Sequence, residues 1–205
     1  MREIRSIAIV DFIYGLGSRY SYLASTQINR IAGETGAVFR WQPVSSRALL
    51  GRRSDEPFKP GARGQYDWDY RKRDAEAWAR YYGVPFNDPV GRLTYDPALP
   101  ALAAMAAGRQ DQVEAMSHLL FRLIFVDDHS QFGRDEVLAA ARTLGLDLAR
   151  LESDLDSPEL AQEHEQCILK VESRGAFGVP TFFYGDDLYW GNDRLVLLEA
   201  ALRAA

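Results

Sequence analysis

The sequence predicts an α/β fold in which a small sheet is assembled from both ends of the chain, with a large all-α insertion between them. Three observations predict it. A short apolar, β-branched run, Ile7 to Ile13, opens the chain and reads as a buried strand. Near the far end, a Val179-Pro180 step leads into Thr181-Phe-Phe-Tyr184, a Gly-Asp-Asp turn and a second run ending at Trp190, which reads as a hairpin. Between them, roughly half the chain shows helical spacing and no strand pattern.

The elements follow in order. Gly15 and Gly17 break the first strand. From Tyr20 to Ala32 the apolar positions Tyr20, Leu23, Ala24, Ile28 and Ile31 fall on one helical face, with Gly33 as the expected C-cap. Val38 to Gln42 is a second strand, stopped at Pro43, so the chain opens as strand, helix, strand. Ser45 to Gly64, rich in Arg, Ser, Gly and Pro, reads as a long loop. A helix follows, with Tyr66, Tyr70, Trp78, Tyr81 and Tyr82 on one aromatic face, of which Trp78 to Tyr82 is read as core of the helical domain, ending at Gly83. Further helices are expected over 97–107, 111–125 and 135–145, and from the Ser157-Pro158 cap toward Arg174. Neither end of the chain makes a viable core alone. Joined, they give a four-stranded sheet with helices on both faces, in the element order of a thioredoxin-like fold. The expected boundaries are 1–45 plus 165–205 for the thioredoxin-like domain and 46–164 for the inserted helical domain.

Composition narrows the function. With 24 basic against 29 acidic residues the net charge is −5, and no basic stripe suggests nucleic acid. Arg71-Lys-Arg73 is interleaved with Asp67, Asp69, Asp74 and Glu76 and reads as a solvated helix face. One cysteine, Cys167, excludes an internal disulfide and any Cys-x-x-Cys pair. No apolar run approaches a membrane span and no signal-peptide core is present, so a cytoplasmic protein is expected. No metal site is expected: His164 and Cys167 are three apart but lack a third ligand, and read as a surface histidine and a buried cysteine. Asp127-Asp-His129 reads as a helix end, and Gly15-x-Gly17 is too short for a dinucleotide loop.

Ser18 lies between the first strand and first helix, where helix N–H groups favour an anion. Serine cannot form a disulfide. Its hydroxyl can donate a hydrogen bond to a thiolate, or it can simply cap the helix. The segment Ser18-Arg-Tyr-Ser-Tyr-Leu-Ala24 resembles the Ser-Pro-aromatic-Ser-aromatic-Leu-Ala/Gly segment of the 2-hydroxychromene-2-carboxylate isomerases and kappa-class glutathione transferases. Gly178-Val-Pro-Thr-Phe182 and Trp190-Gly-Asn-Asp-Arg-Leu195 are similar to that family's C-terminal signature, and Tyr66 to Pro85 is similar to its helical insertion.

The resemblance implies a homodimeric, glutathione-binding protein. Ser18 takes the place of the family's active-site serine, and Val179, before a cis-Pro180, that of the residue pairing by backbone with the glutathione cysteinyl unit. Gly191, Asn192 and Asp193, beside Trp190, correspond to the turn that holds the γ-glutamyl end. Two departures stand out: Arg19 replaces a proline, and Gly15 an often acidic residue. Arg19, Arg47 and Lys59 are candidate cations for a substrate carboxylate. Expected partners are glutathione and a small aromatic-derived keto acid, isomerised about a double bond in aromatic degradation. The alternatives are a glutathione transferase and a non-catalytic binding protein on the same fold. A disulfide oxidoreductase is excluded by the missing cysteines.

Overall fold

The computed structural model describes residues 7–51, 67–89, 91–92, 94–127 and 131–204. The first strand, β1 (Ile9–Tyr14), is central, and its alternating side chains organise the molecule. Val10, Phe12 and Tyr14 point into the larger core, while Ile13 points into a smaller one on the opposite face. β2 (Val38–Pro43) pairs parallel to β1, with Ile9 opposite Val38. β3 (Thr181–Tyr184) and β4 (Asp187–Trp190) form the antiparallel hairpin, and β3 pairs with β1 through Ile13 opposite Thr181. The strand order is β2-β1-β3-β4, so the two ends of the chain share one sheet.

α1 (Arg19–Thr35) makes the β1–β2 crossover. It runs past the expected cap at Gly33 and ends on Gly36, which takes the left-handed conformation at φ 73° and donates to the Ala32 carbonyl. A mid-helix glycine costs only about 1 kcal/mol, less than the burial of Ile28 and Ile31 returns. The expected loop after β2 begins with a short helix, α2 (Ser46–Gly51). Residues 52–66, including Lys59 and Tyr66, lie outside the described residues.

Then come α3 (Trp68–Tyr82), α4 (Leu99–Gly108), α5 (Val113–Phe125), α6 (Arg134–Thr143), α7 (Leu148–Leu155) and α8 (Pro158–Ser173). α7, capped by Asp147 accepting from the Arg150 N–H at 3.0 Å, was not expected from the sequence. The α3 aromatics depart from the expectation in part. Trp78 and Tyr82 pack against the larger core as expected, but Tyr81 is exposed, as is Tyr70, and the fully buried positions of the helix are the small ones, Ala75 and Ala79.

A final 3₁₀ turn (Asn192–Arg194) leads into α9 (Leu195–Ala204). The larger core runs without a break from Phe12 and Tyr14 to Met116, Phe121 and Phe125 of α5. Phe12 stacks on Phe182 at 4.9 Å, and the Tyr14 hydroxyl meets Ser117 Oγ at 2.5 Å. The smaller core packs Ile168 and Val171 of α8 with Leu49 of α2 against Ile13 and Phe183. Among the described residues, no helix is long and apolar enough to cross a membrane.

Candidate active site

The site begins where β1 runs out. After Tyr14 the chain turns through Gly15–Gly17, closed by Ser18 N–H donating to the Gly15 carbonyl at 2.9 Å. Ser18 is the N-cap of α1: its backbone is extended, and its Oγ accepts from the Ser21 N–H at 3.2 Å. Ser21 Oγ in turn accepts from the Gly15 N–H at 3.3 Å. Capping uses Ser18 Oγ as an acceptor and leaves its O–H available as a donor, so the cap and the donor roles are compatible. The half-exposed Ser18 thus offers one hydroxyl donor where the helix dipole is positive and no acidic residue stands in the first turn.

The opposite wall is the corner before β3. The Val179-Pro180 peptide is cis. Thr181 Oγ1 ties the corner by donating to the Gly178 carbonyl at 2.7 Å, and the Gly191 N–H donates to the Pro180 carbonyl at 2.9 Å. Sheet pairing stops at Thr181, so Val179 lies beyond the ladder and its backbone takes no part in it. Trp190 packs against the corner: a Cβ on Gly178 would sit 2.8 Å from its Nε1, and its ring centroid lies 4.9 Å from that of Phe177.

The two walls meet through Gly15. A Cβ there would approach Val179 Cγ2 to 3.2 Å and Ser46 Cβ to 2.9 Å. An acidic side chain at this position would collide with both, which accounts for the glycine. The strand register and this contact bring the β1–α1 turn and the cis-proline corner together.

The other predicted residues divide. Gly191 has φ 109°, which favours glycine, and starts the turn as expected. Asn192 is buried and turned inward: its carbonyl accepts from the Tyr82 hydroxyl at 3.1 Å, so it braces the turn. Asp193 stays half-exposed beside Arg194 at 3.5 Å. Arg47 is exposed on α2. Arg19 departs from the expectation of a free cation. Its guanidinium is buried, Nη1 lies 3.0 Å from Asp88 Oδ2, and it sits 5.5 Å from the Trp68 ring. Burial lowers its pKa against the pull of Asp88. At the first helical position it points into the inserted segment, not into the opening.

His164 and Cys167 also exchange the surroundings expected of them. His164 is buried and its Nε2 accepts from the Ser45 N–H at 3.0 Å. Cys167 is half-exposed and lines a largely apolar cavity of about 260 Å³ with Trp41, Pro43 and Met105.

Three residues at the site were given no site role from the sequence. Tyr82 braces Asn192, Asp88 neutralises Arg19, and Tyr95 sets its hydroxyl directly over Gly17, where a Cβ would fall 1.9 Å from it. All three belong to the insertion. The available signs were Tyr82 at the very end of the aromatic helix and the polar and aromatic residues after Gly83.

A sheet built from both ends of the chain, a capping residue at the start of α1 and a cis-proline corner against the β1–α1 turn define the thioredoxin class. The DSBA-like thioredoxin domain family matches residues 9–203, and the chain belongs to that family. Within it, the chain is 30% identical to a 2-hydroxychromene-2-carboxylate isomerase of Sphingobium xenophagum over 94% of this chain and 97% of that one. It is 27% identical to the isomerase of the same name from Pseudomonas putida, over 95% and 94% of the two chains. A solved 2-hydroxychromene-2-carboxylate isomerase superposes with a TM-score of 0.78 at 26% identity, covering 95% of this chain and 94% of that one. The cytosolic disulfide reductase DsbM of Pseudomonas aeruginosa, solved with GSH, shares the fold at a TM-score of 0.66 and 20% identity over 96% of each chain.

Proposed function

We propose that this protein is a glutathione-dependent cis–trans isomerase, acting on 2-hydroxychromene-2-carboxylate or a closely related aromatic-derived keto acid. The observation that carries the reading is the convergence of the Ser18 cap with the cis-proline corner, linked by the Gly15–Val179 contact. The shared name of the relatives over nearly the full chain supports the same reading.

The cradle suits glutathione. Val179 lies past the end of the ladder, where an extended thiol-bearing segment can add strand-like pairing to its backbone. Glycine at 178 leaves room for the Trp190 indole to wall the corner. The turn at Gly191–Asp193 carries a half-exposed carboxylate for an ammonium, and Tyr82 holds that turn rigid from below. Ser18 would donate its O–H to the sulfur, with the α1 dipole favouring the anionic form.

Bound glutathione would supply a thiolate whose reversible addition converts a double bond into a freely rotating single bond. The protein's residues would hold that sulfur and position the substrate beside it. Arg47, exposed on α2 next to Ser46, which faces Gly15, would be the cation to meet the substrate carboxylate.

The test is direct. Millimolar glutathione should raise the wild-type melting temperature, by linkage of binding to folding, and should be required for isomerisation followed by absorbance. Ser18→Ala should keep the fold at a cost of about 1 kcal/mol for the lost cap and lower the glutathione-dependent rate by about 100-fold. A wild type that neither responds to glutathione nor isomerises would end this reading. Accumulation of a stable glutathione conjugate would instead make the protein a transferase.

A further inference from the structure

Tyr95 is held by the inserted domain with unusual care for a residue outside any motif. The preceding Thr94 makes an isolated parallel bridge with Gln131, and the Phe132 N–H donates to the Thr94 carbonyl at 3.2 Å. The following Asp96 opens α4: its Oδ1 accepts from the Ala98 N–H at 2.9 Å and its carbonyl from the Leu99 N–H. Tyr95 is thus pinned on both sides. Its ring reaches the β1–α1 turn, and its hydroxyl takes the space a Gly17 side chain would fill.

The placement has three consequences. Gly17 precedes Ser18, so the phenol stands at the turn that presents the proposed thiolate donor. Among the described residues the phenol has no hydrogen-bond partner, and the charge that acts on it is that of Arg47. Ser18 already serves the sulfur in the reading above, which leaves Tyr95 for the other reactant.

We infer that Tyr95 is a catalytic residue of the isomerisation, its hydroxyl donating a hydrogen bond to the substrate carbonyl oxygen while Arg47 faces the substrate carboxylate. The inference rests on the isomerase reading. When a sulfur–carbon bond forms at the conjugated double bond, the π electron pair moves onto that carbonyl oxygen as an enolate. Rotation follows about the bond made single. When the sulfur–carbon bond breaks, the pair returns and the double bond re-forms. The phenol keeps its proton throughout, so nothing is consumed. Its contribution is to stabilise charge that exists only after addition, which speeds the reaction without tightening ground-state binding. A phenol, with its ordinary pKa of about 10, is a protonated donor at neutral pH, and burial raises the Tyr95 value further, against the opposing charge of Arg47.

The experiment compares wild type, Tyr95→Phe and Gly17→Ala with 2-hydroxychromene-2-carboxylate and glutathione. It reads kcat by absorbance, glutathione Kd by calorimetry and Tm by scanning. Tyr95→Phe should lower kcat about 10- to 100-fold with glutathione Kd changed less than about 2-fold and Tm retained. Gly17→Ala should displace the intact phenol and give a loss of similar size. The double variant should be no slower than the worse single, because both changes remove one interaction.

Unchanged kcat in Tyr95→Phe in the presence of an active wild type overturns the inference alone. Loss of glutathione affinity in parallel with rate overturns it too, by moving Tyr95 to the sulfur. An inactive wild type overturns the isomerase reading and this inference together. If Tyr95→Phe does not fold, Gly17→Ala decides: a slowed enzyme supports the assignment and an unslowed one overturns it.

Discussion

Two buried charge clusters, one on each side of this molecule, solve the same problem in opposite ways. On the α8 face, Asp11 of β1 is nearly inaccessible but fully served. It accepts from Arg40 Nε at 2.6 Å and Gln42 Nε2 at 2.7 Å on one oxygen, and from Arg174 Nη1 at 2.7 Å on the other. Its cations keep contact with water, and Arg174 lies over the Phe183 ring at 3.9 Å. On the site face, Arg19 and Asp88 are both buried, with side-chain exposures of 4% and 2%. Their closest atoms approach to 3.0 Å as charges, without an aligned hydrogen bond. The first cluster binds β1, β2 and the end of α8 together. The second fastens the start of α1 to the inserted segment that carries Tyr95, and it gains little stability for the desolvation of two charges. A fold tolerates such an arrangement where geometry near a site matters more than stability.

The sharpest way to break the comparison is to remove one partner from the fully buried pair. Asp88→Ala leaves the Arg19 guanidinium buried without its counter-ion, and should cost about 3–5 kcal/mol in urea denaturation. Replacing both, Arg19→Met with Asp88→Leu, should recover most of that loss, since apolar side chains of similar size need no counter-charge. If the double variant were as unstable as Asp88→Ala, the pair would be a net stabiliser and the contrast with Asp11 would fail.

Asp11→Asn is the matching test on the other face and should be milder, about 1.5–3 kcal/mol, since the displaced cations can turn to solvent. It also carries a pH signature. Burial pushes the Asp11 carboxyl up, but hydrogen bonds and charge from Arg40 and Arg174 outweigh burial and leave its pKa lowered. A depressed carboxylate stabilises the fold above the unfolded value of about 3.9 and loses that contribution as pH falls through the folded value. Wild-type stability should therefore drop below about pH 4, and this part of the drop should be absent in Asp11→Asn.

The same contrast governs what could be read from the chain. Strands, most helices and the two segments that meet at the candidate site were legible because each rests on local chemistry: β-branched runs, a serine before a helix, Val-Pro before a strand. Their spatial meeting follows from topology, since a helix–hairpin–helix end must add to a strand–helix–strand start. The partnerships of Arg19 with Asp88, Tyr82 with Asn192 and Tyr95 with Gly17 were not legible. Tyr82 and Asn192 are 110 residues apart, and their bond depends on side-chain directions that no periodicity encodes. Arg19 was read as a site cation from its neighbour Ser18, yet successive helical residues face different ways, and burial decided its role. α7 had its cap in Asp147 and its apolar residues at Leu148, Leu151 and Leu155, a pattern too short to stand out beside longer helices.

His164 gives the finest test, because it is a buried titratable group that is neutral by design of its hydrogen bond rather than by pairing. Its Nε2 accepts from the Ser45 N–H, so protonation would set a donor against a donor. Burial lowers its pKa, opposed by Glu165. The sign is the reverse of a salt-bridged histidine. Above the unfolded value of about 6.5 neither state is protonated and the bond's contribution is whole. Below it the unfolded chain takes up the proton first, and stability declines as pH falls through the folded value. The effect should be small, about 1 kcal/mol for one hydrogen bond, and centred below pH 6.5, well separated from the Asp11 limb near pH 4. His164→Gln, which keeps an acceptor but cannot titrate, should flatten the stability profile between about pH 5 and 7 while leaving the acid limb in place. A slope that survived in His164→Gln would assign the effect to another group, and Ser45 would then be held at the entrance of α2 without a proton-sensitive contact.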